Sequence, residues 1–316
     1  MIISASRRTD IPAFYADWFM ARLRSGYCLV PNPWNHKQIS RVSLAVNDVD
    51  AIVFWSKNPA PLIPYVPEID RLGFQYYFLF TINDYPDDIE HHLPPVTERI
   101  GTFCELSSEI GKGRMVWRYD PVIVSRRFDA GFHMRTFENL ARQLSGATAR
   151  VIISIADFYA RTERRLSDVE AATGDRFARD PFALPEFGRM IESMAASAAA
   201  SGMSIQSCAE DNRLEALGIK PGKCIDDVLL MSILNHRVSA RRDTGQRQKC
   251  LCIESRDIGV NNTCVHGCEY CYATSSRARA ERNYESHDPG APMLYSCPER
   301  LEAGSGTGVP EMKTRP

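Results

Sequence analysis

Six short strand-like runs, most of them rich in Ile, Val, Phe, Tyr or Trp, punctuate the chain, at residues 2–6, 51–56, 76–82, 115–119, 151–156 and 204–209. All are five to seven residues long, the usual length of buried strands. Between them lie stretches with apolar positions at helical spacing. One begins after Asp10, an N-cap candidate by type. It carries Pro12 as an early helical residue, then Phe14, Tyr15, Trp18, Phe19 and Leu23, and ends near Gly26. A second spans 182–200, is rich in Ala and Met, and stops at Gly202. Buried strands alternating with helices predict an α/β fold with a parallel sheet, in the form of a (β/α) barrel of six to seven strands, whole or partial. Further along, the pattern predicts a helix over about 226–235, a seventh strand within 253–260 and a helix over 275–282. The Pro-rich stretch 31–35, which contains Trp34, predicts a rigid, packed loop.

Nearly every predicted strand ends in polar residues. Arg7, Arg8 and Asp10 follow the first, Ser56, Lys57 and Asn58 the second, and Thr81, Asn83 and Asp84 the third. The fourth ends in Arg118, Tyr119, Asp120 and Pro121, the fifth in Asp157, and the sixth in Cys208 and Glu210. Parallel α/β barrels keep their chemistry at these carboxyl ends. Strand alternation puts Arg118 and Asp120 on one face, opposite Trp117 and Tyr119. Arg7, Lys57, Arg118, Asp120 and Glu210 are therefore the candidate catalytic or substrate-contacting residues. Each alone serves equally well as a cap or turn residue; the repetition is what marks them. Pro59 and Pro121 fit strand exits better than strand interiors.

The chain has ten cysteines. Cys264, Cys268 and Cys271 stand at C-x3-C-x2-C spacing, close enough for one loop to aim three thiolates at one metal centre. Iron–sulfur clusters usually take four thiolates, so three leave one iron open to a small molecule. Cys208, Cys224, Cys250 and Cys252 are candidates for a second metal site, iron–sulfur or zinc. Two alternatives stand beside these readings: a zinc site built from Cys250, Cys252, Cys268 and Cys271, or cysteines that are merely small and buried. Cys28, Cys104 and Cys297 are isolated.

Charge changes the picture only locally. The net charge of −1 disfavours nucleic acid or a membrane surface as partner. Between residues 236 and 282, however, nine Lys or Arg face five Asp or Glu, a setting that favours deprotonated cysteines. No run is long enough to span a bilayer, and the N-terminus lacks a signal-like core. The expected location is the cytoplasm, where thiols stay reduced and clustering speaks for metal. The boundaries implied are one domain at 1–297, with the cluster-binding segment at 250–282 and a disordered tail at 298–316.

The loop 264–273, with Tyr270 before its third cysteine, Asn-Asn-Thr ahead and Tyr-Ala behind, resembles the cluster loop of radical S-adenosylmethionine (SAM) enzymes. That resemblance implies a 4Fe-4S cluster held by Cys264, Cys268 and Cys271, with S-adenosylmethionine on its open iron. It also implies Tyr270 against the adenine, Asn262 among the cofactor contacts, a small-molecule substrate, and an electron donor such as flavodoxin or ferredoxin. In those enzymes the cluster loop follows the first strand, whereas here it comes last, and the usual Gly-Gly-Glu is missing. A circular permutation, with 252–260 as the topological first strand, reconciles the first difference. The whole chain resembles a bacterial family of domains of unknown function. The resemblance rests on Ile-Ser-Ala-Ser-Arg-Arg-Thr-Asp at 3–10, Phe-Trp-Ser-Lys-Asn-Pro at 54–59, Trp-Arg-Tyr-Asp-Pro at 117–121 and Ser-Cys-Ala-Glu at 207–210. The rival readings are a metal-assisted hydrolase using Asp10, Asp120 and Glu210, with the cysteines in a structural zinc or cluster site, and an iron–sulfur redox sensor or nucleic-acid partner using the basic run 237–249.

Overall fold

A computed structural model describes residues 1–35, 37–210 and 212–295. Cys297 and the expected tail at 298–316 lie outside the described residues. The chain runs from β1 (Ile2–Ala5) through α1 (Ile11–Phe14) and α2 (Ala16–Ser25) into β2 (Tyr27–Pro31) and β3 (Ile39–Ser43). Then follow β4 (Ala51–Ser56), α3 (Val66–Arg71), β5 (Tyr76–Thr81), α4 (Val96–Ile110), β6 (Met115–Val122) and α5 (Ala130–Gln143). The second half contains β7 (Arg150–Ile155), α6 (Ala160–Thr173), α7 (Phe187–Ala200), β8 (Ser204–Cys208) and β9 (Lys220–Gly222). It closes with α8 (Asp227–Leu234), β10 (Arg256–Asp257) and α9 (Arg277–Glu285).

Eight strands form one sheet in the order β10-β1-β4-β5-β6-β7-β8-β9, every neighbouring pair parallel. The six expected strands are all present. The seventh shrinks to the two residues of β10 and pairs with β1, Ile3 opposite Arg256 and Ser4 opposite Asp257. A three-residue strand, β9, makes the eighth, one more than the pattern predicts. No pairing joins β9 to β10 among the described residues, so the architecture is a large parallel sheet flanked by helices.

The strands are buried on both faces, as their composition requires. One face points its alternate residues (Ile52, Phe54, Phe78, Phe80, Trp117, Tyr119, Ile153) into the main core. The opposite face gathers Ile2, Val53, Tyr77, Leu79, Val116 and Ile152 with Cys208, Cys224, Cys250 and Cys252. The face assigned to Trp117 and Tyr119 is thus correct, and Arg118 and Asp120 look the other way.

Local differences from the expected elements have physical causes. The first helix breaks in two at Tyr15 (φ −135°, ψ 29°), whose hydroxyl donates to the Thr263 carbonyl at 2.6 Å. Asp10 does cap it, accepting from the Ala13 N–H at 3.1 Å, and Gly26 does end it at φ 73°. The helix expected from 182 begins only at Phe187, after Pro185 and a short 3-10 turn at Pro181–Ala183. Strand β6 runs through Pro121 to Val122 rather than stopping before it, at the cost of a register shift against β7. The Pro-rich stretch is the turn of the antiparallel β2–β3 hairpin, where the Asn32 side chain accepts from the Trp34 and Asn35 N–H groups. Trp34 is 88% exposed, so the expected packing of this loop does not extend to its tryptophan.

Candidate functional site

At the carboxyl ends of the strands lies a cavity of about 400 Å³, within the range of small-molecule sites. Its wall includes Arg7, Lys57, Arg118 and Asp120 from the strand ends. It also includes Cys264, Cys268, Tyr270 and Cys271 from the loop after β10, and Cys208, Cys250 and Cys252 from the C-terminal half. Four of the five candidate contact residues therefore meet there. Glu210 does not: its carboxylate accepts from the Ile155 N–H at 2.9 Å, and it lines a separate, more open depression with Arg213 and Lys249.

The position of the cysteine loop follows from β10. Asp257 accepts from the Ser4 hydroxyl (2.9 Å), the Ser6 hydroxyl (2.7 Å), the Arg7 N–H (2.8 Å), Arg8 Nε (3.2 Å) and the Gly259 N–H (3.0 Å). One carboxylate thus ties the start of the chain to the entry of the loop. Gly259 is required by close approach: a Cβ there would sit 2.0 Å from Ser6 Oγ. The loop's exit is closed by Asn262 in the left-handed region (φ 60°), whose Oδ1 accepts from the Ser275 N–H at 2.6 Å and its hydroxyl at 2.7 Å. Asn262 was expected among the cofactor contacts; it is absent from the cavity wall, and its side chain shapes the loop instead. From α6, the Arg165 guanidinium reaches over and donates to the carbonyls of Glu269 (3.0 Å), Cys271 and Thr274.

The three loop thiols share one wall. Burial pushes Cys268 up to about 12 against the pull of Lys57. Burial also raises Cys264, reinforced by the nearby Cys271, Asp10 and Cys268. Without metal these two are protonated, and a metal would displace the protons. Two other ligand-type side chains of the loop are engaged elsewhere: Glu269 lies 2.6 Å from His91 Nε2, and buried His266 has Nε2 2.8 Å from Asp10 Oδ2 and Nδ1 3.4 Å from the His92 carbonyl. Asp10 also accepts from the Lys57 N–H at 2.7 Å.

Beneath the loop, Glu90 accepts from the Lys57 ammonium at 2.7 Å and from the Tyr270 hydroxyl. Burial alone would raise the pKa of Glu90; Lys57 and Arg99 outweigh it and hold the carboxylate below its ordinary value. The Lys57 ammonium also sits 5.3 Å from the Tyr270 ring centroid. Tyr270 is therefore held at both its ring and its hydroxyl. On the sheet side, the guanidinium carbons of Arg7 and Arg118 lie 5.1 and 4.9 Å from the Trp55 ring centroid. Arg118 pairs with Asp120, which in turn accepts from the Ser154 hydroxyl. Burial would lower the pKa of Arg118, but Asp120 and the neighbouring Cys224 and Cys208 more than compensate.

The remaining cysteines come together as a second group. Cys224 Sγ lies 3.2 Å from Cys208 Sγ, and the Cys252 sulfur is hydrogen-bonded by both Cys224 and Cys250. Those two bonds, opposed by burial and aided by Arg7, depress the pKa of Cys252, so thiolate charge settles there first. The zinc alternative drawn from Cys250, Cys252, Cys268 and Cys271 does not match this grouping. Among the described residues no three His, Cys, Asp or Glu side chains already converge on one metal ion; the thiols are neighbours on shared walls.

Asp257, Glu90, His266 and Arg165 were not singled out from sequence. His266 stands inside the cysteine motif and could have been found there. The other three act across more than a hundred residues or from an irregular loop, and no local pattern announces them.

No helix among the described residues is long and apolar enough to cross a membrane. No curated protein and no solved structure matches the chain. One family model matches residues 2–273, from the first strand to the end of the cysteine loop, and the chain belongs to that family, Domain of unknown function (DUF1848).

Proposed function

We propose that this protein is a radical SAM-like enzyme. Cys264, Cys268 and Cys271 would hold a 4Fe-4S cluster with one iron open to S-adenosylmethionine. The observation that carries the reading is the shared wall: the three loop thiols border one cavity with Arg7, Lys57 and Arg118, at the carboxyl ends of a parallel sheet. The donor set fits such a cluster, because three thiols are offered and the adjacent His266 is already engaged on both nitrogens. When bound and reduced, a cluster of this kind supplies one electron that splits S-adenosylmethionine into methionine and an adenosyl radical, which takes a hydrogen atom from substrate.

The chain's own residues do the rest. Tyr270, fixed by Glu90 and Lys57, offers a ring in the cavity wall for the adenine. Arg7 and Arg118 give the cavity wall a cationic lining that suits the carboxylate of S-adenosylmethionine. The sheet order supports a permuted barrel-type sheet: if β10 is taken as the topological first strand, the cysteine loop follows it and the other strands run in sequence from β1 to β9. A small-molecule substrate, a flavodoxin- or ferredoxin-like electron donor and a cytoplasmic location belong to the same proposal. The hydrolase reading is weaker here. Asp10 and Asp120 are committed to His266 and Arg118, and Glu210 is outside the cavity wall.

The test is anaerobic reconstitution with iron and sulfide. The expected protein is brown, changes its electron paramagnetic resonance signal when S-adenosylmethionine is added, and on reduction releases methionine and 5′-deoxyadenosine. Iron-replete protein that leaves S-adenosylmethionine intact would refute the proposal.

A further inference from the structure

The cavity has a second sulfur-rich wall that the proposed chemistry does not use. Cys208 ends β8, Cys224 follows β9, and Cys250 and Cys252 lie in the segment before β10, yet the four thiols form a continuous chain from Cys208 through Cys224 and Cys252 to Cys250. All four are buried, none more than 7% exposed. The backbone is built around them. The Ile225 N–H points at Cys252 Sγ at 3.4 Å while the Ile253 N–H bonds the Ile225 carbonyl at 3.1 Å. The Tyr77 hydroxyl donates to the Cys224 carbonyl at 2.5 Å, and Arg242 Nε to the Cys250 carbonyl at 2.7 Å. Ala209, next to Cys208, is held in the left-handed region at φ 57°, a conformation that costs a non-glycine residue on the order of 1 kcal/mol or more.

Four reduced thiols at the end of an apolar core gain little from one another, since sulfur is a weak donor and acceptor. The surroundings suit thiolates. Arg7, whose chief charge partner is Asp257, and Arg118, paired with Asp120, also feel the charge of this thiol group, and nearby cations favour deprotonated cysteines.

We infer that Cys208, Cys224, Cys250 and Cys252 hold a second iron–sulfur cluster, fully ligated by protein, beside the cavity that the loop triad also borders. Four thiolates satisfy all four irons of a cubane, so this cluster has no open position. A structural zinc is the competing occupant: the contact between Cys208 and Cys224 suits it, but its paired cysteines are usually separated by two to four residues, whereas Cys250 and Cys252 are separated by one. The site stands independently of the radical reading, because none of its ligands belongs to the triad.

The experiment compares full-length protein, the variant Cys264→Ala/Cys268→Ala/Cys271→Ala and the variant Cys250→Ala/Cys252→Ala, all reconstituted anaerobically. Iron, sulfide and zinc are measured, with Mössbauer and electron paramagnetic resonance spectra in the presence and absence of S-adenosylmethionine. The expected result is about eight irons in the parent protein and about four in each variant. The triad variant should retain a cluster whose spectrum ignores S-adenosylmethionine. That single variant suffices if the Cys250/Cys252 variant fails to fold. A triad variant devoid of iron, or one zinc per chain lost with Cys250 and Cys252, overturns the inference. About four irons in both the parent and the triad variant would leave this cluster standing while removing the one proposed for the loop.

Discussion

His133 is a case in which burial decides a protonation state. It is wholly buried on α5, with Nε2 2.8 Å from the Ile123 carbonyl and Nδ1 2.8 Å from the Tyr119 hydroxyl. A carbonyl can only accept, so Nε2 carries the proton and Nδ1 accepts from Tyr119. Burial pulls its pKa from 6.5 down to about 4, against the opposing effect of the Ile123 carbonyl. The unfolded chain therefore takes up the proton first as the pH falls. Stability from this group is intact above the unfolded value of 6.5 and drains away toward 4. The slope is about 1.4 kcal/mol per pH unit, for a total on the order of 3 kcal/mol. Denaturant unfolding at neutral pH and at about pH 4.5 checks this against His133→Leu. The variant should be less stable at neutral pH by about 1–3 kcal/mol, since Tyr119 and Ile123 lose their partner, but should fall less steeply with acid. Equal slopes in the two proteins would mean that the folded histidine takes up its proton as readily as the unfolded one.

Among the elements, α6 does more than cover the sheet. Its polar side chain Arg165 holds the cysteine loop by three carbonyls, at Glu269, Cys271 and Thr274. Arg165 is not part of the cavity wall, so the guanidinium holds the loop without touching the cavity. Replacing Arg165 by Ala is expected to weaken iron retention at the loop by about tenfold, the scale of lost outer-shell support around a metal. The metal-free protein should be destabilised by only about 1–2 kcal/mol. Iron release to a chelator, followed alongside thermal unfolding of the metal-free protein, separates these effects. A parallel loss of both would mean that Arg165 supports the fold in general. No sequence pattern marks Arg165, because its partners lie a hundred residues on. The strands and caps were legible for the opposite reason: Asp10, Gly26 and the aromatic runs act on neighbours a few residues away. The break at Tyr15, whose hydroxyl donates to the distant Thr263 carbonyl, has no mark in the local pattern. The cysteines were legible as a triad by spacing; the second group, spread from 208 to 252, could be named as four candidates from sequence, but their contact depends on β8, β9 and the segment before β10 lying side by side.

For the whole molecule, the order of the sheet makes the end of the chain a structural partner of its beginning. Strand β1 lies between β4 and β10, so its second edge is covered only when residues 256–257 arrive. The contacts continue past the loop. Trp18 Nε1 donates to the Ala291 carbonyl at 3.0 Å, Arg22 Nη2 to the Gly290 carbonyl at 3.0 Å, and the Leu29 N–H to the Pro292 carbonyl at 2.8 Å. Tyr15 packs edge-on against Tyr284 and His287, with ring centroids 5.6 and 4.7 Å apart. A chain cut after residue 249 would expose one edge of β1 and strip Ser4, Ser6, Arg7 and Arg8 of the Asp257 carboxylate. Buried groups left without partners cost about 1–3 kcal/mol each, and several together approach the whole stability of a domain. The truncated chain is therefore expected to lose cooperative thermal unfolding, whereas a chain cut after residue 295 keeps every one of these contacts and unfolds like the parent. Cooperative unfolding of the shorter chain at the parent's temperature would show that residues 250–295 are an appendage to a sheet complete without them. The physical reason to expect otherwise is that the same segment supplies five thiols of the cavity wall, so the fold and the site are finished by one stretch of chain.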